Sequence, residues 1–324
     1  MLKISKVSFP GLGIGEFNVN SVAFELPWFG GDTIEIAWYA IFITIGMICA
    51  VAYTIYSSKK IGITSEDVID FGLFVIPIGV VGTRLYYVLS KIENYHSFYD
   101  VINIRDGGLA IYGGIIAGGL TVLAICYIKK INFLAFADCV APGVLIAQAI
   151  GRWGNFMNGE AFGYETDWFC RMGLTNNLTG GELQFVHPTF LYESIWNLLG
   201  FILAALLTKH KKKDGQIFLL IFGWYGFGRM FIEGLRQDSL YLGDTQIRVS
   251  QLLAFIIFIL SVLAILYLQF TKNNKPLYHK PNKLPAHTDG KAFESKKSAS
   301  IKKIDEGKSE NKEIKKTKKT NKRK

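Results

Sequence analysis

Seven apolar runs, each close to 20 residues, constrain this chain more than any other feature. A run of that length spans the roughly 30 Å hydrocarbon layer of a bilayer only as a helix, because no water is there to satisfy its backbone N–H and C=O groups. The runs cover residues 36–56, 69–89, 109–128, 136–156, 188–207, 217–233 and 249–270, the sixth being short and polar at its edge. Half of the 324 residues are hydrophobic and the mean hydropathy is positive. The pattern predicts an all-α, polytopic membrane protein of about seven transmembrane helices. Residues 1–35 lack a basic segment leading into an apolar core and a small-residue cleavage site, so they read as an extended, aromatic-containing N-terminal arm on a transmembrane domain of residues 36–270. Three cysteines, Cys49, Cys126 and Cys139, fall inside the runs and Cys170 lies in a loop, a pattern that predicts neither a disulfide framework nor a metal site.

Lysines orient the spans. Lys59 and Lys60, Lys129 and Lys130, and Lys209, Lys211, Lys212 and Lys213 follow spans one, three and five, whereas the alternate loops carry mixed or acidic charge such as Glu160, Glu165, Asp167 and Glu182. Positive loops stay in the cytoplasm, which predicts an N-terminus outside and a C-terminus inside. Residues 271–324 form a separate region. Eighteen Lys and Arg stand there against six Asp and Glu, a net of +12 in a chain of net +10, so the preceding residues are net −2. This lysine-rich, apolar-poor segment predicts a disordered cytoplasmic tail, a solvated extension whose charge also suits anionic inner-leaflet lipid. Nucleic acid is not required as a partner.

Placed by depth, the polar residues of the spans gather at the outer end. Tyr39 opens span one, Arg84 ends span two, and the glycine-flanked Tyr112 opens span three. Arg152, Asn155 and Asn158 end span four, with Glu160 and Gly163 just beyond. His187 precedes span five, and Tyr225, Arg229, Glu233 and Arg236 lie along the outer part of span six. Arg152 and Asn155, three apart, share a helix face, and the four span-six residues form one stripe in which Glu233 can pair with Arg229 or Arg236. A charge at membrane depth costs roughly 2.5 kcal/mol or more, so a cluster of them marks a site. Several guanidinium groups in one cavity suit a phosphate, which the planar fork of Arg binds through two parallel bonds. Plainer readings hold elsewhere: Arg84 as a snorkelling residue, Gly114 and Gly118 as helix-packing positions, and Asp138 as a cap for its own helix.

Five ordered elements resemble the prolipoprotein diacylglyceryl transferase family. Residues 151–163 fit its G-R-x-G-N-F-x-N-x-E-x-x-G signature at every fixed position, and His187-Pro188-Thr189-Phe190-Leu191-Tyr192-Glu193 is similar to its H-P-x-x-L-Y-E. Residues 107–114, 228–237 and 82–87 resemble its glycine-pair, G-R-x-x-x-E-x-x-R-Q and G-x-R-x-x-Y elements. The likeness runs over about residues 17–270. It implies a multi-pass transferase of the bacterial cytoplasmic membrane that moves the diacylglyceryl group of phosphatidylglycerol to the lipobox cysteine of a prolipoprotein signal peptide. A thioether forms, glycerol phosphate leaves, and no metal or cofactor is needed. By the same resemblance Arg152 and Arg229 hold the phosphate, Asn155 and Glu160 orient the head group and the arginines, Glu233 positions Arg229, and Tyr225 and Tyr39 meet substrate. Tyr112 stands where some members carry His as a candidate base. Arg84, Arg236, His187, Asn158 and Gly163 complete the expected binding residues.

The competing class is an anion or phospholipid transporter. It would show an internal repeat and polar access from both sides. No repeat is found, and the polar groups cluster at one end.

Overall fold

The computed structural model describes residues 4–27, 33–95, 97–103, 107–239, 241, 245–271 and 276–281. Among them, seven helices are long and apolar enough to cross a membrane: α1 (Trp38–Ser58), α2 (Ser65–Ser90), α4 (Ile111–Lys129), α5 (Phe133–Asn158), α6 (Thr189–Leu207), α7 (Gln216–Leu235) and α8 (Val249–Phe270). A one-turn helix, α3 (Phe98–Ile102), lies between α2 and α4. The weakest apolar run is thus a full span, with 20 residues in α7.

The all-α expectation needs correcting at one end of the bundle. Residues 4–27 and 33–37 are not an extended arm but strands β1 (Ile4–Phe9), β2 (Ile14–Asn20), β3 (Val22–Pro27) and β4 (Thr33–Ala37). The loop between α5 and α6 adds β5 (Met172–Thr175) and β6 (Gln184–Val186). An antiparallel sheet has the order β2-β1-β5-β6, and β3 pairs with β4. In β1 the odd positions Ser5, Val7 and Phe9 are buried while Ile4 and Lys6 are exposed, the two-residue period of a half-buried strand. Six residues of alternation do not register in a search for 20-residue apolar runs. Under the sheet, Val7, Val19, Phe162, Leu174, Val186 and Phe190 form one core cluster.

The opposite end carries the lysines. Thr64 caps α2: its hydroxyl accepts from the Asp67 N–H at 3.2 Å and the Asp67 carboxylate accepts from the Thr64 N–H at 3.3 Å. Lys129 at the end of α4 pairs with Asp67 at 2.9 Å and Asp70 at 2.6 Å. Asp138, 1% exposed, does not cap its own helix. It accepts from the N–H groups of Gly215 and Phe218, both at 2.8 Å, and so caps α7 from α5, with Lys211 at 3.1 Å balancing its charge. Residues 276–280 of the expected tail belong to this end: Tyr278 N–H donates to Asp214 at 2.9 Å, Lys280 N–H to the Ile61 carbonyl at 2.8 Å, and the Lys280 ammonium pairs with Asp67. Residues 282–324 lie outside the described residues.

Between the ends, α5 is the central helix. Over its most apolar stretch 56% of the residues are buried, against 11–39% in the other six spans. It packs on α1, α6 and α7, and α7 packs on α8. Helices α2 and α4 pack on each other through Gly82, Gly113 and Gly114 and touch the α1–α5 pair sparsely. Gly113 and Gly114 of the third-span element therefore serve helix packing, and the sparse contact leaves a cavity between the two pairs.

Candidate functional site

That cavity, about 580 Å³, is lined by α1, α2, α4 and α5. It extends along α5 from Phe136 near the lysine end to Asn155 near the sheet end. At 1.5 Å per residue this is about 28 Å, nearly the thickness of a hydrocarbon layer. Its walls are mostly apolar. Tyr39, Arg152 and Asn155 crowd one end, and Gln148 and Thr54 are the polar residues deeper down.

Beside the polar end, three arginines converge on one carboxylate. Glu193, in the second turn of α6, has its side chain 6% exposed. It receives the Arg229 guanidinium of α7 at 2.6 Å and that of Arg152 of α5, with Arg236 at 3.7 Å. Arg229 also meets Glu233 at 2.5 Å, one turn along α7, and Arg236 makes a two-bond pair with Asp238 at 2.9 and 2.6 Å. The stripe expected on span six is therefore real, and Glu233 takes Arg229 rather than Arg236. Tyr225 sits within electrostatic reach of Arg229, Arg152 and both glutamates. Three guanidinium groups thus face three carboxylates, and each buried charge is compensated before any ligand arrives.

Local packing explains the neighbours of these residues. Trp196 and Trp224 stack at 4.2 Å and exchange N–H···O=C bonds of 3.0 and 2.9 Å, locking α6 to α7. A Cβ on Gly228 would lie 2.1 Å from the Trp196 indole nitrogen, so only glycine fits immediately before Arg229. A Cβ on Gly154 would meet the Tyr39 ring at 2.7 Å, so glycine there lets Tyr39 cross α5 beside Arg152. Gly163, expected at the ligand, is instead a junction: its N–H donates to the His187 carbonyl at 2.9 Å, and a Cβ would reach the Leu235 carbonyl at 2.7 Å.

The end of α5 orients its own amide. The Asn155 and Asn158 NH₂ groups donate to Glu160 at 3.0 and 3.1 Å. The Asn155 carbonyl oxygen is thereby turned to Arg152, which donates to it at 3.3 Å. A guanidinium has five N–H donors, and among the described residues Arg152 uses two, on Asn155 and Glu193. With a 23% exposed side chain on the cavity wall, it is the most accessible of the three arginines.

Other expected residues stand apart. Arg84 spends all five donors on the carbonyls of Asp100, Val101, Asn103, Gly107 and Gly108, at 2.7–2.9 Å. It staples the α2–α4 connection and has no N–H left for a phosphate, and it is not a snorkelling residue either. Tyr112 lies beside Tyr86, with ring centroids 6.5 Å apart, and at this turn Ile111 forms the cavity wall. The His187 ring is 3.2 Å from the Tyr192 hydroxyl, which in turn is 3.2 Å from the Cys170 sulfur. Burial pushes the His187 imidazole below its ordinary value.

Sequence reasoning missed Glu193 as a site residue, although the motif containing it was legible. Its signal was a carboxylate five residues into an apolar span, a position whose cost calls for a cationic partner.

A family model for prolipoprotein diacylglyceryl transferase matches residues 27–267. The phosphatidylglycerol–prolipoprotein diacylglyceryl transferase of Enterococcus faecalis is 44% identical over 271 residues, 79% of this chain and 93% of that protein. The enzyme numbered 1 under the same name in Clostridium perfringens is 41% identical over 258 residues, 76% and 94% of the two chains. The Listeria welshimeri transferase is 40% identical over 274 residues, 82% and 96%.

Proposed function

The chain belongs to the prolipoprotein diacylglyceryl transferase family, and from that membership and the geometry of its site we propose how it works as a transferase. The donor is phosphatidylglycerol and the acceptor is the lipobox cysteine thiol of a prolipoprotein signal peptide. The observation that carries the reading is a buried arginine cluster beside the polar end of a long apolar cavity. Acyl chains suit the cavity, and a phosphate diester suits the cluster.

In the reaction the cysteine thiol gives up its proton to water, and the sulfur forms a bond to the glyceryl carbon that carries the phosphate. The carbon–oxygen bond breaks, and its electron pair leaves with glycerol phosphate. The ester groups are untouched. Arg152 and Arg229 meet the phosphate and stabilise the charge that grows on it as the bond breaks. Glu193 holds the two guanidinium groups together, Glu233 fixes Arg229, and Asp238 fixes Arg236. Glu160 sets the Asn155 amide so that Arg152 keeps its orientation. Tyr39 and Tyr225 border the reacting groups. The positive field also favours the thiolate over the thiol, whose ordinary pKa is about 8.5.

The lysine loops support an orientation with the sheet and the arginine cluster at the outer face of the bacterial cytoplasmic membrane and the lysine end in the cytoplasm. The charge of residues 282–324 supports contact with anionic inner-leaflet lipid. Incubating the purified protein in detergent with phosphatidylglycerol and a lipobox peptide tests the proposal. The peptide is expected to gain the mass of one diacylglyceryl group, only when the lipid is present. No gain with folded protein rejects it.

A further inference from the structure

Past the end of α8, residues 277–280 run across the lysine end of the bundle, and the reaction just described does not use them. The matching family model ends at residue 267, so the likeness assigns them no role either. They nevertheless bond to the ends of α1, α2, α4 and α7. The Tyr278 N–H donates to Asp214, just before α7, at 2.9 Å, and the Tyr278 hydroxyl donates to the Lys130 carbonyl, just after α4, at 3.3 Å. The Lys280 N–H donates to the Ile61 carbonyl, just after α1, at 2.8 Å, and the Lys280 ammonium pairs with Asp67 in the first turn of α2. A Cβ on Gly62 would lie 2.7 Å from the His279 ring and 3.0 Å from the Lys280 carbonyl, so the segment lies directly on the α1–α2 loop.

These anchors fall on both sides of the cavity. Ile61 follows α1, and Asp214 leads into α7, which packs on α5. Asp67 and Lys130 belong to the α2–α4 pair. Because the two pairs touch sparsely along the cavity, the join at the lysine end carries much of what holds them together. Tyr278 packs on a cluster that draws Val68 and Phe71 from α2, Cys126 from α4, and Phe136 and Cys139 from α5. Val68, Phe71 and Phe136 also line the cavity, and the Phe71 and Phe136 rings stack at 4.1 Å from one pair to the other. The floor of the cavity is therefore a seam between the pairs, and Tyr278 packs on the cluster that forms it.

We propose that residues 277–280 are a clasp, which holds α2–α4 to α1–α5 at the lysine end and keeps the floor of the cavity closed. A seam held by a few hydrogen bonds and one cluster opens locally, without unfolding the whole chain, once those bonds are removed. The lysine-rich residues that follow the clasp are not needed for it.

The thiols of the floor supply the test. Cys126 and Cys139 are each 3% exposed and belong to the cluster, whereas Cys170 lies in the loop between α5 and α6, beside Tyr192. The folded protein in detergent is pulsed with a maleimide, and the modification rate of each cysteine is read by mass spectrometry of its peptide. A chain ending at Pro281 is expected to label as the full chain does. A chain ending at Pro276 is expected to label at Cys126 and Cys139 at least about tenfold faster, the loss of one or two net hydrogen bonds, with Cys170 unchanged. Tyr278→Ala in the full chain is expected to raise the same two rates about threefold or more, and it carries the test if the shorter chain does not fold. Floor thiols that label at the full-chain rate in these variants overturn the clasp. A rise shared in equal proportion by Cys170 also overturns it, because the loss is then one of overall stability and not an opening of the floor. None of these outcomes uses transfer activity, so the function reading stands or falls separately.

Discussion

Replacing Glu193 with Gln is the sharpest perturbation of this site. The change keeps the shape of the side chain and removes one charge from the point where Arg152 and Arg229 meet. Breaking a buried pair by deleting one partner costs about 3–5 kcal/mol, because the other charge stays behind uncompensated. Here two guanidinium groups stay behind, of which Arg229 retains a second carboxylate, Glu233, and Arg152 retains none among the described residues; Arg236, 3.7 Å from the lost charge, keeps Asp238. Part of the cost is relieved because the Arg152 side chain, 23% exposed, lies on the cavity wall, so about 3–5 kcal/mol stands for the cluster as a whole. For a domain of this size each kcal/mol moves the melting temperature by about 2–4 °C, giving an expected drop of about 6–20 °C. The buried free thiols of Cys126 and Cys139 supply the assay, since a thiol-reactive dye reports their exposure on heating. An anionic ligand replaces the missing carboxylate in part. Phosphatidylglycerol is therefore expected to raise the melting temperature of Glu193→Gln by more than that of the unmutated protein, and phosphatidylcholine to raise both equally. A variant that melts with the unmutated protein and gains no more from the anionic lipid would refute the assignment of Glu193 as the charge that holds the arginines together.

Further expectations follow from the same geometry. Arg152→Lys keeps the charge but loses the planar fork, so turnover is expected to fall about a hundred- to thousandfold, or roughly 2.7–4 kcal/mol in the barrier, measured at matched expression; near-normal turnover would mean that only a general positive field is needed. Arg84→Lys is expected to loosen the α2–α4 connection, seen as faster proteolysis near residues 97–110, with a much smaller loss of turnover than Arg152→Lys. Cysteine labelling of spheroplasts is expected to modify Leu178→Cys above the parent chain and Lys209→Cys only after permeabilisation; the reverse would invert the orientation. Because burial holds the His187 pKa below its ordinary value of about 6.5, the neutral ring favours the folded state above that pH, and the contribution is lost as pH falls through the lowered value. Thermal melts of His187→Gln are expected to be less acid-sensitive than those of the unmutated protein, by at most about 1.4 kcal/mol per pH unit. Identical acid profiles would remove His187 as the cause.

The sequence alone determined the features whose physics is local. Apolar length decides whether a run crosses a bilayer, so seven spans were legible, including the polar-edged α7. A helix places residues three and four apart on one face, so the stripe of Tyr225, Arg229, Glu233 and Arg236 and the pairing of Arg152 with Asn155 were legible as well. Tertiary structure decided every partnership between distant residues. Span lengths do not say that Glu193 receives Arg152 and Arg229, 41 and 36 residues away, because which faces of α5, α6 and α7 meet depends on packing such as the Trp196–Trp224 stack. Nor do they say that Arg84 is consumed by five carbonyls of a loop, or that Asp138 caps α7 instead of its own helix. The sheet was hidden for a related reason: β1 has as its partner β5, more than 150 residues later, and a strand of six alternating residues is held by that pairing and by the core beneath it, not by its own composition.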